Sequence, residues 1–165
     1  MIMPAILIVC TANQCRSPVA EALLRRRLTQ QPNGVAWQVE SAGTWASVGR
    51  SAHPQMQVAA AEVELDLSAH RARMVDDLNL ADYDLILTME QNHREALQVE
   101  FPAVRNRIYL LSEMIGLTYD IHDPIGGPLE EFRSTVREID RLLQAALPRL
   151  QELATAQAHS TEETL

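Results

Sequence analysis

The chain has 165 residues, of which 47% are hydrophobic, and this is enough apolar material for one well-buried domain. Its formal net charge of −8 at pH 7 argues against nucleic acid or an anionic membrane as a general partner, because the overall field attracts neither. The N-terminal apolar stretch is too short to span a bilayer and has no basic leader. We therefore expect a cytoplasmic protein whose two cysteines are reduced.

The first predicted element is a short buried strand at residues 5–9, where five apolar residues follow Pro4. Cys10 comes directly after the strand, and Arg16 stands six positions later. The residues between them are Thr11, Ala12, Asn13, Gln14 and Cys15. A loop of this length can turn its backbone N–H groups toward one centre, and the guanidinium adds a bidentate clamp. The sequence therefore predicts a phosphate-binding loop between the first strand and the first helix.

The helix after this loop is predicted to begin at Ser17, because serine is a good N-cap and Pro18 suits the first helical position. The helix dipole, the loop N–H groups, Arg16 and the Ser17 hydroxyl would all favour a Cys10 thiolate. The alternative is that Cys10 is an inert buried residue at a strand end. Cys15 is expected to be a structural or redox-protective thiol, and a reversible Cys10–Cys15 disulfide is a regulatory hypothesis.

Strands and helices alternate through the rest of the chain. Three further strands are predicted, at residues 37–41, 84–88 and 107–111. Helices are predicted at residues 55–63, after a capping box at residues 88–91, and from Pro128 onward. Pro148 is expected to kink or end the last helix. Residues 154–165 are small and polar, and they are expected to form a disordered tail.

This order of elements predicts a single α/β domain over residues 1–153. Its sheet would have four parallel strands with helices on both faces. In such sheets, ligands bind beyond the carboxyl ends of the strands. Cys10 lies at that end of the first strand, so its position agrees with its chemistry.

A second catalytic group is needed in the loops that surround Cys10. Thiolate attack on phosphorus expels an alkoxide or phenoxide, which leaves poorly unless a carboxylic acid donates a proton. Asp123 is the best candidate, because Pro124 stiffens its loop and the glycines that follow let it approach the cradle. Asp120 and His122 are the alternatives, and an Asp-Pro pair by itself also suits a plain turn. The histidines lack paired ligand spacing, so no metal or other cofactor is expected.

Five short sequence motifs, which include Cys10, Arg16 and Asp123, are spread over nearly the whole chain. They are Val9-Cys10-x5-Arg16-Ser17-Pro18 with Ala20-Glu21, Ser41-Ala42-Gly43-Thr44, Val48-Gly49-Arg50-Ser51, Ser68-Ala69-His70-Arg71 and Asp123-Pro124. Together they are highly specific. The chain resembles the low-molecular-weight protein-tyrosine phosphatase family.

The resemblance implies a role for each matching residue. It implies a nucleophilic Cys10, a phosphate-clamping Arg16, a Ser17 that stabilises the thiolate, and an Asp123 that acts first as acid and then as base. It also implies a hydrogen-bond network that holds the loop and consists of Asn13, Ser41 and His70. Without the resemblance, the sequence indicates only that Ser41 ends a strand and that His70 is a surface or core histidine.

The expected activity is hydrolysis of phosphotyrosine on proteins through a cysteinyl-phosphate intermediate, with inorganic phosphate as product. The loop departs from many tyrosine phosphatases of the family, which have Gly and Ile where Ala12 and Gln14 stand. Ala12 is acceptable only if its backbone avoids positive φ. Gln14, Trp45 and Ile125 form the expected substrate rim. Ile125-Gly126-Gly127 resembles the bacterial branch of the family, which includes protein-arginine phosphatases that carry Thr where Gln14 stands. Gln14 matches neither residue type, and its amide could hydrogen-bond a phosphoguanidine or face solvent. A protein-arginine phosphatase is therefore the alternative.

Two rival functions are less favoured. Arsenate reduction, as related reductases run it, needs further cysteines downstream, and this chain has none after Cys15. A phosphate-binding module without turnover would have no use for Asp123. The sequence leaves the oligomeric state open.

Overall fold

The structure is a computed structural model that describes residues 2–165, and a parallel β-sheet lies at its centre. The strands are β1 (Ala5–Cys10), β2 (Gln38–Gly43), β3 (Leu85–Thr88) and β4 (Ile108–Leu110). Their order in the sheet is β2-β1-β3-β4, and every neighbouring pair is parallel. All six residues of β1 are buried, as expected of a central strand covered on both faces. The predicted four-stranded parallel sheet is confirmed.

Helices cover both faces of this sheet. They are α1 (Arg16–Thr29), α2 (Pro54–Ala61), α3 (Gln91–Glu100) and α4 (Leu129–Thr164), joined by short 3-10 turns at 75–77, 80–82, 102–107 and 111–115. Side chains alternate along β1, so Ile6 and Ile8 join one apolar cluster while Leu7 and Val9 join another. The first cluster contains residues of α1, α2 and α4, and the second contains Leu97 of α3. None of the helices within residues 2–165 has the length and apolarity to cross a membrane.

The position of β1 in the sheet creates a crevice at its carboxyl end. The chain passes from β1 through α1 to β2 on one side, and later returns to β3 on the other side. Connections that leave a strand toward opposite sides open a crevice beyond its carboxyl end, where ligands bind. Cys10 is the last residue of β1 and therefore lies at this crevice.

The predicted starts of two helices are wrong. α1 begins at Arg16, with Cys15 at its N-cap, rather than at Ser17. The Ser17 hydroxyl contacts the Cys10 sulfur and does not cap the helix. The predicted capping box at residues 88–91 is also absent, because Thr88 ends β3 and its hydroxyl donates to the Tyr109 carbonyl at 3.0 Å. In both cases the hydroxyl that was expected to cap a helix is hydrogen-bonded to a residue of another element.

The last helix also departs from the prediction. Pro148 does not end α4, which continues to Thr164 through the segment predicted to be a disordered tail, residues 154–165. The apolar stripe of the helix continues past the proline, since Leu150, Ala154 and Ala158 are buried at four-residue spacing. Pro148 itself is exposed, so the backbone carbonyl that loses its N–H partner lies on the solvent side of the helix.

Candidate active site

Three backbone carbonyl groups at the loop between β1 and α1 accept hydrogen bonds from amides outside the loop. The Thr44 amide donates to the Cys10 carbonyl at 3.0 Å, and the Trp45 amide donates to the Thr11 carbonyl at 2.9 Å. The His53 amide donates to the Gln14 carbonyl at 2.9 Å. By contrast, within residues 2–165 the backbone N–H groups of residues 11–17 donate to no protein acceptor. A run of free amides at a helix N-terminus suits a tetrahedral oxyanion.

One residue of the loop has a left-handed backbone, namely Asn13 with φ of 56°. Asparagine tolerates this conformation better than most residues, and here its side chain makes three hydrogen bonds. Its Nδ2 donates to the hydroxyls of Ser17 at 2.8 Å and Ser41 at 2.9 Å, and its Oδ1 accepts from the Arg73 amide at 2.9 Å. His70 Nε2 lies 2.7 Å from the Asn13 carbonyl oxygen and must be the donor. The structure thus brings Asn13, Ser41 and His70 into one network.

The backbone of Ala12 avoids positive φ, so the Gly-to-Ala departure at this position is sterically acceptable. Gly43, in contrast, has no room for a side chain. A Cβ at Gly43 would lie 2.4 Å from the Thr11 carbonyl oxygen. The Ser41-Ala42-Gly43-Thr44 motif therefore includes a glycine because β2 approaches the loop backbone closely.

The Cys10 sulfur lies 2.9 Å from the Ser17 hydroxyl, and both residues are buried. Because Ser17 accepts a hydrogen bond from Asn13, its own proton is available to the sulfur. Cys15 is also a buried free thiol. Burial raises the pKa of Cys15, and the neighbouring charge of Cys10 raises it further. Cys15 is therefore protonated at neutral pH and is a poor nucleophile.

Arg16 is only 1% exposed and its guanidinium is held from two directions. Its Nη1 donates to Glu90 Oε1 at 2.5 Å and to the Ile121 carbonyl at 2.8 Å. Its Nη2 lies 3.4 Å from Asp123 Oδ2. Charge-assisted hydrogen bonds of this kind fix the plane of the guanidinium before any phosphate arrives.

Of the three candidate acids, Asp123 is the one that contacts Arg16, and its side chain is 39% exposed. Its Oδ1 accepts from the Ile125 amide at 3.1 Å, which fixes the turn at Pro124. Asp120 is engaged elsewhere, since its Oδ1 accepts from the Gln91 amide at 2.8 Å. The His122 side chain is 80% exposed, and Glu131 lies 3.8 Å from it. Of the three candidates, Asp123 is therefore the one whose carboxylate lies against the Arg16 guanidinium.

The substrate rim that the sequence predicted is open to solvent. Trp45 is 83% exposed and Ile125 is 46% exposed, while Gln14 is partly buried. The Trp45 backbone is nevertheless anchored, because its amide donates to the Thr11 carbonyl. An aromatic face is thus attached directly to the loop.

Three residues that the sequence analysis did not single out support the loop. They are Glu90, which binds Arg16, Arg73, which binds Asn13 and the Ser41 carbonyl, and His93, whose Nε2 lies 2.8 Å from Thr11 Oγ1. Glu90 and His93 follow β3 closely, so their location beyond the carboxyl end of a strand next to β1 is a signal that could have indicated them. Among the described residues 2–165, no group of three or more His, Cys, Asp or Glu side chains could hold a metal ion.

Fold and site together define an α/β protein with a Cys-x5-Arg phosphate-binding loop at the carboxyl end of its central strand. The family model described as low molecular weight phosphotyrosine protein phosphatase matches residues 5–157. The chain belongs to this family, as the resemblance of its motifs predicted.

Three similar proteins illustrate the family. The low molecular weight protein-tyrosine-phosphatase Wzb of Escherichia coli is 38% identical over 139 residues, which cover 84% of this chain and 87% of Wzb. The protein-arginine-phosphatase of Geobacillus stearothermophilus is 33% identical over 147 residues, covering 88% of this chain and 95% of that protein. The crystal structure of the low molecular weight protein tyrosine phosphatase from T. tengcongensis has a TM-score of 0.82 at 31% identity, covering 88% of this chain and 99% of that one.

Proposed function

We propose that this chain hydrolyses phosphotyrosine on proteins, with Cys10 as nucleophile. The observation that carries the proposal is the arrangement around the sulfur. The Ser17 hydroxyl lies 2.9 Å from it, free loop amides follow it in the chain, and a pre-oriented Arg16 ends the same loop. These groups suit a thiolate beneath a phosphoryl group.

In the first step the Cys10 thiolate attacks phosphorus in line with the leaving oxygen. The S–P bond forms as the P–O bond to the substrate breaks, and Asp123 donates its proton to the departing oxygen. Arg16 and the loop amides hold the three equatorial oxygens, on which negative charge is spread. The partly exposed position of Asp123 beside Arg16 suits proton transfer at the mouth of the site.

In the second step water hydrolyses the cysteinyl-phosphate. The Asp123 carboxylate accepts a proton from the water as its oxygen attacks phosphorus, and the S–P bond breaks. Cys10 leaves as the thiolate, which the Ser17 hydroxyl stabilises, and inorganic phosphate is released. Asp123 is then protonated again and ready for the next substrate.

The rim supports phosphotyrosine as the substrate, with the tyrosine phenolate as the leaving group. Trp45 offers an exposed aromatic face beside the loop, and aromatic rings stack favourably on such a face. Phosphoarginine is the second candidate, because the Gln14 amide can accept a hydrogen bond from a guanidinium N–H. A protein-arginine-phosphatase also stands among the similar proteins. We also propose a cytoplasmic location, which two free buried cysteines support because they suit a reducing compartment.

The test compares kcat/KM for two peptides of the same sequence, one with phosphotyrosine and one with phosphoarginine. Cys10→Ser serves as the inactive blank, and we expect hydrolysis of both peptides to require Cys10. A preference for phosphotyrosine is the expected result. A preference for phosphoarginine would instead assign Gln14 to guanidinium recognition, and turnover of neither peptide above the blank would overturn the proposed phosphatase activity.

A further inference from the structure

His93 is a buried side chain beside the loop that the two reaction steps do not use. It lies in the first turn of α3 and is 4% exposed. Its Nε2 is 2.8 Å from Thr11 Oγ1, and Thr11 is the residue directly after Cys10. Its Nδ1 is buried and has no hydrogen-bond partner within residues 2–165. Thr11 is thus the one residue to which the His93 ring is bound in this part of the chain.

The unpartnered nitrogen determines which tautomer the ring adopts. A proton on Nδ1 would be a buried N–H without an acceptor, which proteins avoid more strictly than an unused lone pair. A proton on Nε2 is instead donated to Thr11 Oγ1. Burial lowers the pKa of His93, although Glu90 acts in the opposite direction, so the ring is neutral at pH 7. We therefore assign a neutral His93 with its proton on Nε2.

This tautomer leaves the hydroxyl proton of Thr11 unused. The oxygen of Thr11 accepts from His93, so the O–H group must donate to something other than the imidazole. Glu90, at the N-cap of α3, binds the Arg16 guanidinium, and His93 lies in the first turn of the same helix, so Arg16 and the His93–Thr11 pair both contact the N-terminal end of α3. An oxygen of a phosphoryl group held by Arg16 is an acceptor of the kind that this hydroxyl proton needs.

Resting on the proposed function, we propose that His93 is a positioning residue that orients the Thr11 hydroxyl to donate a hydrogen bond to an oxygen of the bound phosphoryl group. His93 does not touch the substrate and transfers no proton. It acts through Thr11, whose side chain would otherwise be free to rotate. The loop then contributes a side-chain donor in addition to its amides and Arg16.

The experiment is a double-mutant cycle of His93→Leu and Thr11→Val, read by kcat/KM and by the dissociation constant of inorganic phosphate. Each single change should lower kcat/KM about tenfold and weaken phosphate binding by a similar factor, since Thr11→Val removes the hydrogen bond to the charged phosphoryl group and His93→Leu leaves the hydroxyl that makes this bond without its orienting partner. The double variant should be no worse than the worse single variant, because both changes remove the same interaction. Thr11→Ser and His93→Gln keep the hydroxyl and the N–H donor, and both should retain most of the activity.

Two controls separate positioning from a purely structural role. The exposed His159 on α4 provides a matched change, and His159→Leu should leave both measurements unchanged. A long-range 1H–15N NMR spectrum of the wild-type protein should show His93 protonated on Nε2 alone at neutral pH. If His93→Leu fails to fold, Thr11→Val against Thr11→Ser and the NMR spectrum still test the proposal.

The proposal is overturned if Thr11→Val binds phosphate as tightly as the wild type, if the two single effects multiply in the double variant, or if the NMR spectrum shows the proton on Nδ1. These outcomes are distinct from failure of the proposed function. An inactive wild-type protein whose phosphate affinity still showed the His93–Thr11 coupling would refute phosphatase activity and support the positioning role.

Discussion

The two sides of the phosphate-binding loop are built differently. Behind the loop lies the rear network, which is defined by Asn13, Ser17, Ser41, His70 and Arg73 and in which the Asn13 side chain alone makes three hydrogen bonds. In front lies the front rim, which is defined by Gln14, Trp45, Asp123 and Ile125, and in which Trp45 and Ile125 are exposed and the other two are partly exposed. Arg16 lies between the two, buried and bound to Glu90.

This difference separates the residues that hold the loop in its conformation from the residues that can be substituted. The left-handed backbone of Asn13 costs free energy, and the hydrogen bonds of the rear network hold the residue in this conformation. The front rim needs no such network, because exposed side chains can usually be substituted at little cost in the free energy of unfolding. We therefore expect phosphate binding to depend on the rear network and Arg16, and the choice of substrate to depend on Gln14, Trp45 and Ile125 of the front rim.

The largest expected effect comes from Arg16→Lys, at the boundary between the two sides. Lysine keeps the charge but cannot bind phosphate, Glu90 and the Ile121 carbonyl at the same time with a planar fork. We expect kcat/KM to fall about 10³-fold, in the range seen when a main transition-state donor is lost. Steady-state kinetics with a phosphotyrosine peptide measures the effect. A loss below tenfold would show that charge, and not the fixed guanidinium, stabilises the transition state.

A smaller effect is expected from Asn13, where two variants separate backbone conformation from side-chain bonding. Asn13→Gly permits the φ of 56° but removes the three side-chain hydrogen bonds, whereas Asn13→Ala removes the bonds and also disfavours that conformation. We expect kcat/KM to fall by roughly 30-fold in Asn13→Gly, as the three side-chain hydrogen bonds are lost, and further in Asn13→Ala. Equal kinetics of the two variants would mean that the left-handed backbone costs nothing in this loop.

The part of this site that the sequence predicts is the part with local causes. The apolar run that forms β1 and the spacing from Cys10 to Arg16 involve neighbours in the chain, so spacing and residue type suffice. Contacts behind and in front of the loop join distant segments. Arg73 and Asn13 are 60 positions apart, and Glu90 and Arg16 are 74 positions apart. No local pattern specifies such pairs: only the family resemblance linked Asn13, Ser41 and His70, and nothing in the sequence indicated Arg73.

The errors at element ends have the same origin. Ser17 and Thr88 both match local capping rules, yet each hydroxyl is bound by another element. Pro148 is a helix breaker by local rules, but the buried stripe that continues through Ala154 and Ala158 keeps α4 intact. Tertiary packing outweighed propensity at each of these positions.

The smallest effect is expected at the outer end of the rear network, where Arg73 binds Glu40 and the buried Tyr83 hydroxyl donates to Glu40 Oε2 at 2.6 Å. Burial alone would raise the pKa of Glu40, but hydrogen bonds from Tyr83 and Gln38 and the charge of Arg73 together lower it. A carboxylate with a lowered pKa stabilises the folded state above its unfolded pKa, and that contribution is lost as the pH falls through the folded value. Tyr83→Phe should therefore lower the free energy of unfolding by about 1.5 kcal/mol at pH 7, with kcat/KM changed less than twofold. Urea denaturation at pH 7 and below pH 4 measures the free energy of unfolding of wild type and variant, and the difference between them should shrink in acid. Steady-state kinetics measures kcat/KM. A difference that stayed constant with pH would show that the Tyr83 ring packing, and not its bond to a charged Glu40, supports this end of the network.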